Sequence, residues 1–347
     1  MRSGLQCAVL SSIAELEAFA GTWRELWQRD PDATPFQSPE WLLPWCHQFC
    51  EEVRTVVLSR GGSAIGMLPF YLLKEPNSER KMLPLGIATT DYLDGVFSPE
   101  CSVEDIAVGL QWLRSEPEFD SWDVPQLREE SKMRRAFEQM QDAERFESAG
   151  CSQMAAVPVS GLPKKLRANV HYYRNRASRS GELALTVAGK NDWEESWEAL
   201  VRLHGQRWQE QGEPGVLADP RVLAWHGETL PQLLEAGILR LCSLRFNREI
   251  VAVAYSLADP PNRSKRTEYV YLTTYSTAHS DIRPGTLLVG METERAAGEG
   301  IEIMDMLRGE EAYKQTIWHM QRRPTYGYSV RRQASEQQRR VALGAAA

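Results

Sequence analysis

A chain of 347 residues is longer than the size at which a single hydrophobic core stops growing, so two domains of ordinary size are expected. With 42% hydrophobic and 25% charged residues, its composition is that of a globular protein and excludes a disordered one. A net charge of −7 excludes a global attraction to nucleic acid, and no apolar run approaches the roughly 18–20 residues that cross a bilayer.

The first ten residues hold one Arg and a short apolar stretch, soon followed by Glu15 and Glu17. That is not the pattern of a signal peptide, and a cytoplasmic location is expected. The cysteines, Cys7, Cys46, Cys50, Cys101, Cys151 and Cys242, form no C-x-x-C pair and have no histidines at zinc spacing. Cys46 and Cys50, with His47 between them, read as small buried side chains of a helix, and no metal is expected.

In chain order, Cys7–Ser11 reads as a strand and Ile13–Arg29 as a helix capped by Ser11 or Ser12. Ser38 and Pro39 open a second helix carrying Trp41, Leu42, Trp45 and Phe49. Val53–Ser59 and Ala64–Leu73 flank Gly61-Gly62, a hairpin signal. A strand near Lys81–Ala88, a helix over Ser102–Arg114, a strand over Trp122–Leu127, a helix over Lys132–Gln141 and a strand over Gln153–Val159 complete a first half.

Leu162–Arg179 differs from what surrounds it. Lys164, Lys165, Arg167, Arg174, Arg176 and Arg179 alternate with His171, Tyr172 and Tyr173. In an acidic chain this reads first as a solvated helix between domains, and second as a contact for RNA or phosphate.

The second half repeats the layout. Leu183–Ala188 is a strand and Asp192–Gln211 a long helix. Ile238–Leu244 and Ile250–Leu257 form a hairpin, and Glu268–Tyr275 is a further strand. Thr286–Ala297 is a helix, Ile301–Leu307 a strand, Glu311–Met320 a helix and Tyr326–Arg331 a last strand. The expected division is therefore 1–160, a linking helix at 161–182, a second domain at 183–332 and a fraying tail at 333–347. The fold class is α/β, with two tandem domains that each hold a mixed sheet flanked by helices.

Several segments carry a family resemblance: Phe36-Gln37-Ser38-Pro39-Glu40-Trp41-Leu42 with Trp45, Ala64-Ile65-Gly66-Met67-Leu68-Pro69, Asp91-Tyr92-Leu93-Asp94, and His204 with Arg207-Trp208. The most specific is Asp305-x-Leu307-Arg308-Gly309-Glu310-Glu311-x-Tyr313-Lys314 with Trp318 after it. Their order and spacing resemble the CelD-like acetyltransferases, tandem-GNAT relatives of the Fem-type peptidyltransferases, over roughly Phe36–Tyr328.

The resemblance implies acyl transfer from acetyl-CoA or another acyl-CoA. The implied acceptor is an amine or hydroxyl on a small molecule, saccharide or peptide, in polysaccharide or cell-envelope metabolism. Glu268–Tyr275 is then the strand whose backbone meets the donor's pantetheine. Arg283, Gly285 and Thr286 open a helix N-terminus suited to its pyrophosphate, although Leu287 stands where the family usually has a second small residue. Tyr313 takes the place of the acid that protonates the leaving thiolate, with Lys314 as a phosphate or carboxylate contact. Asp305 is either a desolvated base or a carboxylate that ties down the Arg308-Gly309 turn, and Glu310 is a second base candidate. His204, Arg207 and Trp208 share one helix face and are candidates for the acceptor pocket, with Asp91 from the first half.

Two other readings stay open. An aminoacyl-tRNA donor, as used by Fem-type enzymes, would engage the basic helix. A non-catalytic binding protein would keep the fold alone.

Overall fold

The computed structural model describes residues 4–74, 79–115, 119–263, 265–309 and 311–331. The chain divides into two compact units. One takes the described parts of Met1–Asp30, Cys50–Ser148 and Thr325–Ala347; the other takes those of Pro31–Phe49 and Ala149–Pro324.

The first unit begins with β1 (Leu5–Leu10) and α1 (Ile13–Arg29). Ser12 caps α1 by accepting from the Glu15 amide at 3.2 Å. The next helix, α2 (Pro39–Phe49), belongs to the second unit. Back in the first unit, β2 (Thr55–Arg60) pairs antiparallel with β1 and with β3 (Ser63–Leu68). Gly61 and Gly62 both have positive φ (57° and 81°), which the tight hairpin turn requires.

Pro69 separates β3 from β4 (Phe70–Lys74), which pairs with β5 (Arg80–Pro84). The chain then turns and rejoins β3 as the two-residue β6 (Val96–Phe97). Helix α3 (Val103–Ser115) crosses over to β7 (Ser121–Arg128), which lies parallel to β5. Then come α4 (Lys132–Phe137) and β8 (Ala143–Ala155), which leads out of the unit. Trp122 centres the core, with its ring edge-on to Phe70 at 5.0 Å and Phe137 at 5.1 Å.

The second unit continues with α5 (Lys164–Ser180), β9 (Leu183–Val187), α6 (Trp193–Glu210) and α7 (Pro220–Glu235). After them come β10 (Leu239–Phe246), β11 (Glu249–Ala258), β12 (Thr267–Tyr275), α8 (Pro284–Gly298), β13 (Ile303–Arg308) and α9 (Ala312–Thr316). Its sheet runs β9-β10-β11-β12-β13, with Cys151–Ala155 of β8 antiparallel along β13. β12 and β13 are the parallel pair. The last strand, β14 (Gln321–Arg331), returns Thr325–Arg331 to the first unit, antiparallel to β7.

Along the chain, β1–β8 and β9–β14 follow a similar order: strand, two helices, hairpin, further strand or strands, helix, strand, helix, strand, with β4, β5 and β6 in the first run where the second has β12. The units depart from the sequence division in three places. Pro31–Phe49 joins the second unit because Trp41 packs edge-on to Trp225 of α7 at 4.8 Å, and the Trp225 indole donates to the Trp41 carbonyl at 3.3 Å. Helix α5 is not a bare linker. Leu166 and Val170 are buried in one core cluster with Val289 and Ala296 of α8. The end of β8, from Ala149, passes into the second unit, and Thr325–Arg331 of β14 returns to the first. The tail at 333–347 lies outside the described residues.

Smaller differences concern the helices. Ser38 Oγ finds no partner, and the cap is instead a Thr34–Gln37 box one turn upstream. Helix α7 was not expected, since Gly227 and Pro231 interrupt its pattern. The helix expected over Glu311–Met320 stops at Thr316, and His319 takes a left-handed backbone (φ 51°). No helix among the described residues is long and apolar enough to cross a membrane.

Candidate active site

The site is set by where the parallel pair comes apart. β12 and β13 pair over three positions, Thr267↔Ile303, Glu268↔Met304 and Tyr269↔Asp305, and beyond them the register ends. On its other side β12 stays with β11, but the register slips, so that Val270 faces Ser256 and Leu272 faces Tyr255. Tyr271 is the extra residue of this bulge. A one-residue slip exchanges the faces of a strand. Before it, Tyr269 and Tyr271 meet Phe36 and Trp41 of the α2 layer, at 5.7 and 5.1 Å. After it, Tyr275 has crossed to the α8 side, where its ring lies against Gly285.

The loop between β12 and α8 is tied at both ends. Thr277 Oγ1 donates to Glu210 at the end of α6 (2.9 Å), and Ser276 Oγ meets His279 Nδ1 at 3.2 Å. Arg283 takes a left-handed backbone (φ 52°) and starts α8, with its side chain exposed. Pro284 has no N–H, and the Thr286 and Leu287 amides both return to the Arg283 carbonyl, at 3.0 and 3.1 Å. Of this first turn, Gly285 is left as the amide to offer an anion. Close approach at Gly285 is already used, since a Cβ there would stand 2.9 Å from Tyr275 Cδ1. As folded, the Tyr275 ring occupies the space beside Gly285. Arg207 of α6 lies over the same ring, its guanidinium 4.8 Å from the centroid.

At the end of β13, Asp305 is fully buried. Oδ2 accepts from Gln153 Nε2 at 2.7 Å and Oδ1 from the Leu307 amide at 2.8 Å. Of the two roles open from sequence, this is the geometry of the tying carboxylate. Leu307 and Gly309 both have positive φ (54° and 119°), so the turn it holds is strained. Lys314 is turned inward. Its ammonium donates to the carbonyls of Met306 (3.0 Å) and Arg308 (2.9 Å) and pairs with Glu311 at 2.9 Å. Of the phosphate or carboxylate contact expected of Lys314, the structure shows a pairing with the Glu311 carboxylate within a clamp on the turn. Glu310 lies outside the described residues.

Tyr313 is half-buried on α9. Burial first, then the Glu311 carboxylate, pushes its hydroxyl up to about 12; Arg207 pulls it down and Tyr275 adds to the rise. His204 is held below the ordinary histidine value by burial and then by Arg207. Its imidazole is neutral near pH 7, and Nδ1 has no hydrogen-bond partner. Gly215 (φ 72°) closes over His204 and Trp208, and a Cβ there would lie 2.7 Å from each ring. Arg207 is therefore the hub of the site, in contact with Tyr275 and within the electrostatic range of Tyr313 and His204. Asp91 is buried in the first unit, apart from this group in the division of the chain.

Sequence reasoning missed Tyr275, Gln153 and the neutral His226. His226 stacks on Trp225 at 4.2 Å and is held down at about 3 by burial. Only Tyr275 left a trace, as the last aromatic of a strand leading into Pro284-Gly285.

Residues 164–315 match the family model described as an acetyltransferase (GNAT) domain. Among solved structures, FemX shares 9% identity with the chain at a TM-score of 0.64, covering 97% of this chain and 99% of its own. L-PGS from Bacillus licheniformis shares 12% at a TM-score of 0.58, covering 93% and 94%. A tandem GNAT protein from the clavulanic acid biosynthesis pathway shares 10% at a TM-score of 0.54, covering 96% and 100%. At these identities the likeness is one of fold. No curated protein matches the chain in sequence.

Proposed function

We propose that the chain, whose residues 164–315 match a GNAT acetyltransferase domain, moves an acyl group from acyl-CoA to an amine or hydroxyl. The observation that carries this reading is the parting of β12 and β13 after Tyr269, with Tyr313, Arg207 and His204 gathered beside it. The freed edge of β12 offers backbone groups to the amides of a pantetheine arm and to the developing oxyanion. Arg283, the Gly285 amide and the Thr286 hydroxyl would meet its phosphates.

In the reaction, the acceptor nitrogen or oxygen bonds to the acyl carbon and the carbon–sulfur bond breaks. His204, neutral and with Nδ1 unengaged, takes the acceptor's proton. Tyr313, kept protonated by its surroundings, gives a proton to the departing thiolate. Asp305 and Lys314 hold the strained turn that positions α9 and do not enter the proton transfers.

The test is calorimetric titration of the purified protein with acetyl-CoA, repeated with Arg283→Glu. The reading expects binding that weakens at least tenfold in the variant. Equal binding by both would move the phosphates away from Arg283.

One observation favours a second reading. Helix α5 contains no acidic residue, and Lys164, Lys165, Arg176 and Arg179 are exposed beside Tyr172, itself 58% exposed. Arg174 is not part of this face, because it pairs with Glu294 at 3.2 Å. An exposed ring among cations suits a nucleic acid, as an aminoacyl-tRNA donor would require. Charge reversal at Arg176 and Arg179 that leaves transfer unchanged would remove this reading.

A further inference from the structure

Tyr275 ends β12 beside the first turn of α8, where the acyl-CoA reading puts the donor's phosphates. Gly285 lacks a side chain, and the Tyr275 ring fills the room this leaves, 2.9 Å from where a Cβ would be. Ile282, Leu287 and Leu288 form the apolar cluster against which the ring packs. Arg207 sits on the ring at 4.8 Å from its centroid, so the ring touches both a helix start and a guanidinium. We propose that Tyr275 selects the donor: its ring closes the approach to Gly285, and only a ligand that offers Arg207 an anion in exchange displaces it.

The exchange is chemically balanced. While the ring is in place, Arg207 faces an aromatic π system; once the ring leaves, the same guanidinium faces the incoming phosphates. A ligand without phosphates gives Arg207 nothing in return and leaves the ring where it is.

The proposal rests on the acyl-CoA reading, and the experiment separates the two. CoA and pantetheine are each titrated into the wild type, Tyr275→Ala and Tyr275→Leu, with folding followed by circular dichroism. Leu keeps an apolar contact with the cluster and so guards against a variant that fails to fold. The expected result is CoA binding at least tenfold tighter in both variants, with pantetheine affinity unchanged. CoA binding of equal strength in all three proteins overturns the selection by Tyr275 and leaves the acyl-CoA reading standing. A gain for pantetheine as large as that for CoA overturns the exchange at Arg207. No CoA binding by any of the three folded proteins overturns both.

Discussion

Lys314 donates from Nζ to the Arg308 carbonyl at 2.9 Å from a position only 2% exposed to solvent. The same ammonium reaches the Met306 carbonyl at 3.0 Å and Glu311 at 2.9 Å. A lysine so placed ties the carbonyls of the turn together. Replacing it with Met keeps the stem's packing and removes the buried ammonium from those carbonyls. Lys314→Met is expected to cost roughly 2–4 kcal/mol in denaturant unfolding. Were Lys314 a ligand contact alone, stability would be unchanged and only donor affinity would fall.

Tyr313 leads to a kinetic prediction. With its hydroxyl pushed up to about 12, it stays protonated through the neutral and mildly alkaline range. Tyr313→Phe removes the proton and keeps the ring in its half-buried place. The expected result is a kcat lower by about 10²–10⁴-fold, with donor affinity within a few-fold of wild type. A loss that appears in KM with kcat intact would make Tyr313 a binding residue.

These two neighbours on α9 mark how far the sequence carries. Strand and helix order is legible where apolar periodicity is strong, and Ile13–Arg29 is bounded as expected. The Asn247-Arg248 turn, with φ of 49° and 72°, is where the hairpin pattern puts it. The resemblance marks Tyr313, Arg207 and His204, and the structure brings the three within one electrostatic neighbourhood. What is not legible depends on contacts distant in sequence. Lys314 next to Tyr313 looks like a phosphate ligand until the backbone of β13 curls beneath it. The role of Asp305 is decided by Gln153, 152 positions away. Tyr275 reads as an ordinary strand tyrosine because the bulge at Tyr271, which turns it toward α8, has no signature in composition.

Glu268 provides a pH test of the sheet's closed end. It is fully buried on β12, with Arg295 at 2.6 Å, and Arg295 also serves Glu292 at 2.9 Å and Glu299 at 2.8 Å. Burial first, and then the Glu292 charge, push Glu268 up to about 7 against the pull of Arg295. Cys242 and Arg240 of β10 face the same cluster. Because the folded protein holds this proton more tightly than the unfolded chain, whose value is near 4.5, the contribution to stability is complete below 4.5. It declines as pH rises from about 4.5 to about 7 and is gone above that. Glu268→Gln is expected to flatten this part of the stability curve and to gain roughly 1–3 kcal/mol relative to wild type at pH 8. The difference between the two proteins is the quantity to follow, since neutral His226 gives the wild type an opposing slope below its unfolded value of 6.5. Parallel curves for the two proteins would mean that Glu268 remains ionised throughout.

Trp41 tests the assignment of an early segment to the later unit. Its ring is fully buried against Trp225 (4.8 Å), Tyr271 (5.1 Å) and Phe36 (5.4 Å), and its carbonyl accepts from the Trp225 indole. The His47–Glu228 contact at 2.7 Å closes the other end of α2 against α7. Truncating a tryptophan in such a cluster opens a cavity and costs about 3–5 kcal/mol. Sequence proximity would assign that loss to β2 and β3, which follow α2 directly in the chain. The packing assigns it to β11 and β12 instead, because Tyr255 and Tyr271 share the cluster. Hydrogen exchange on Trp41→Ala reads the difference amide by amide. Protection is expected to fall on β11, β12 and α7 while β2 and β3 keep theirs. The reverse pattern would return Pro31–Phe49 to the first unit. Since Tyr271 is the bulge residue that parts β12 from β13, a loosened cluster should also disturb the site, so donor affinity should fall together with protection on β12.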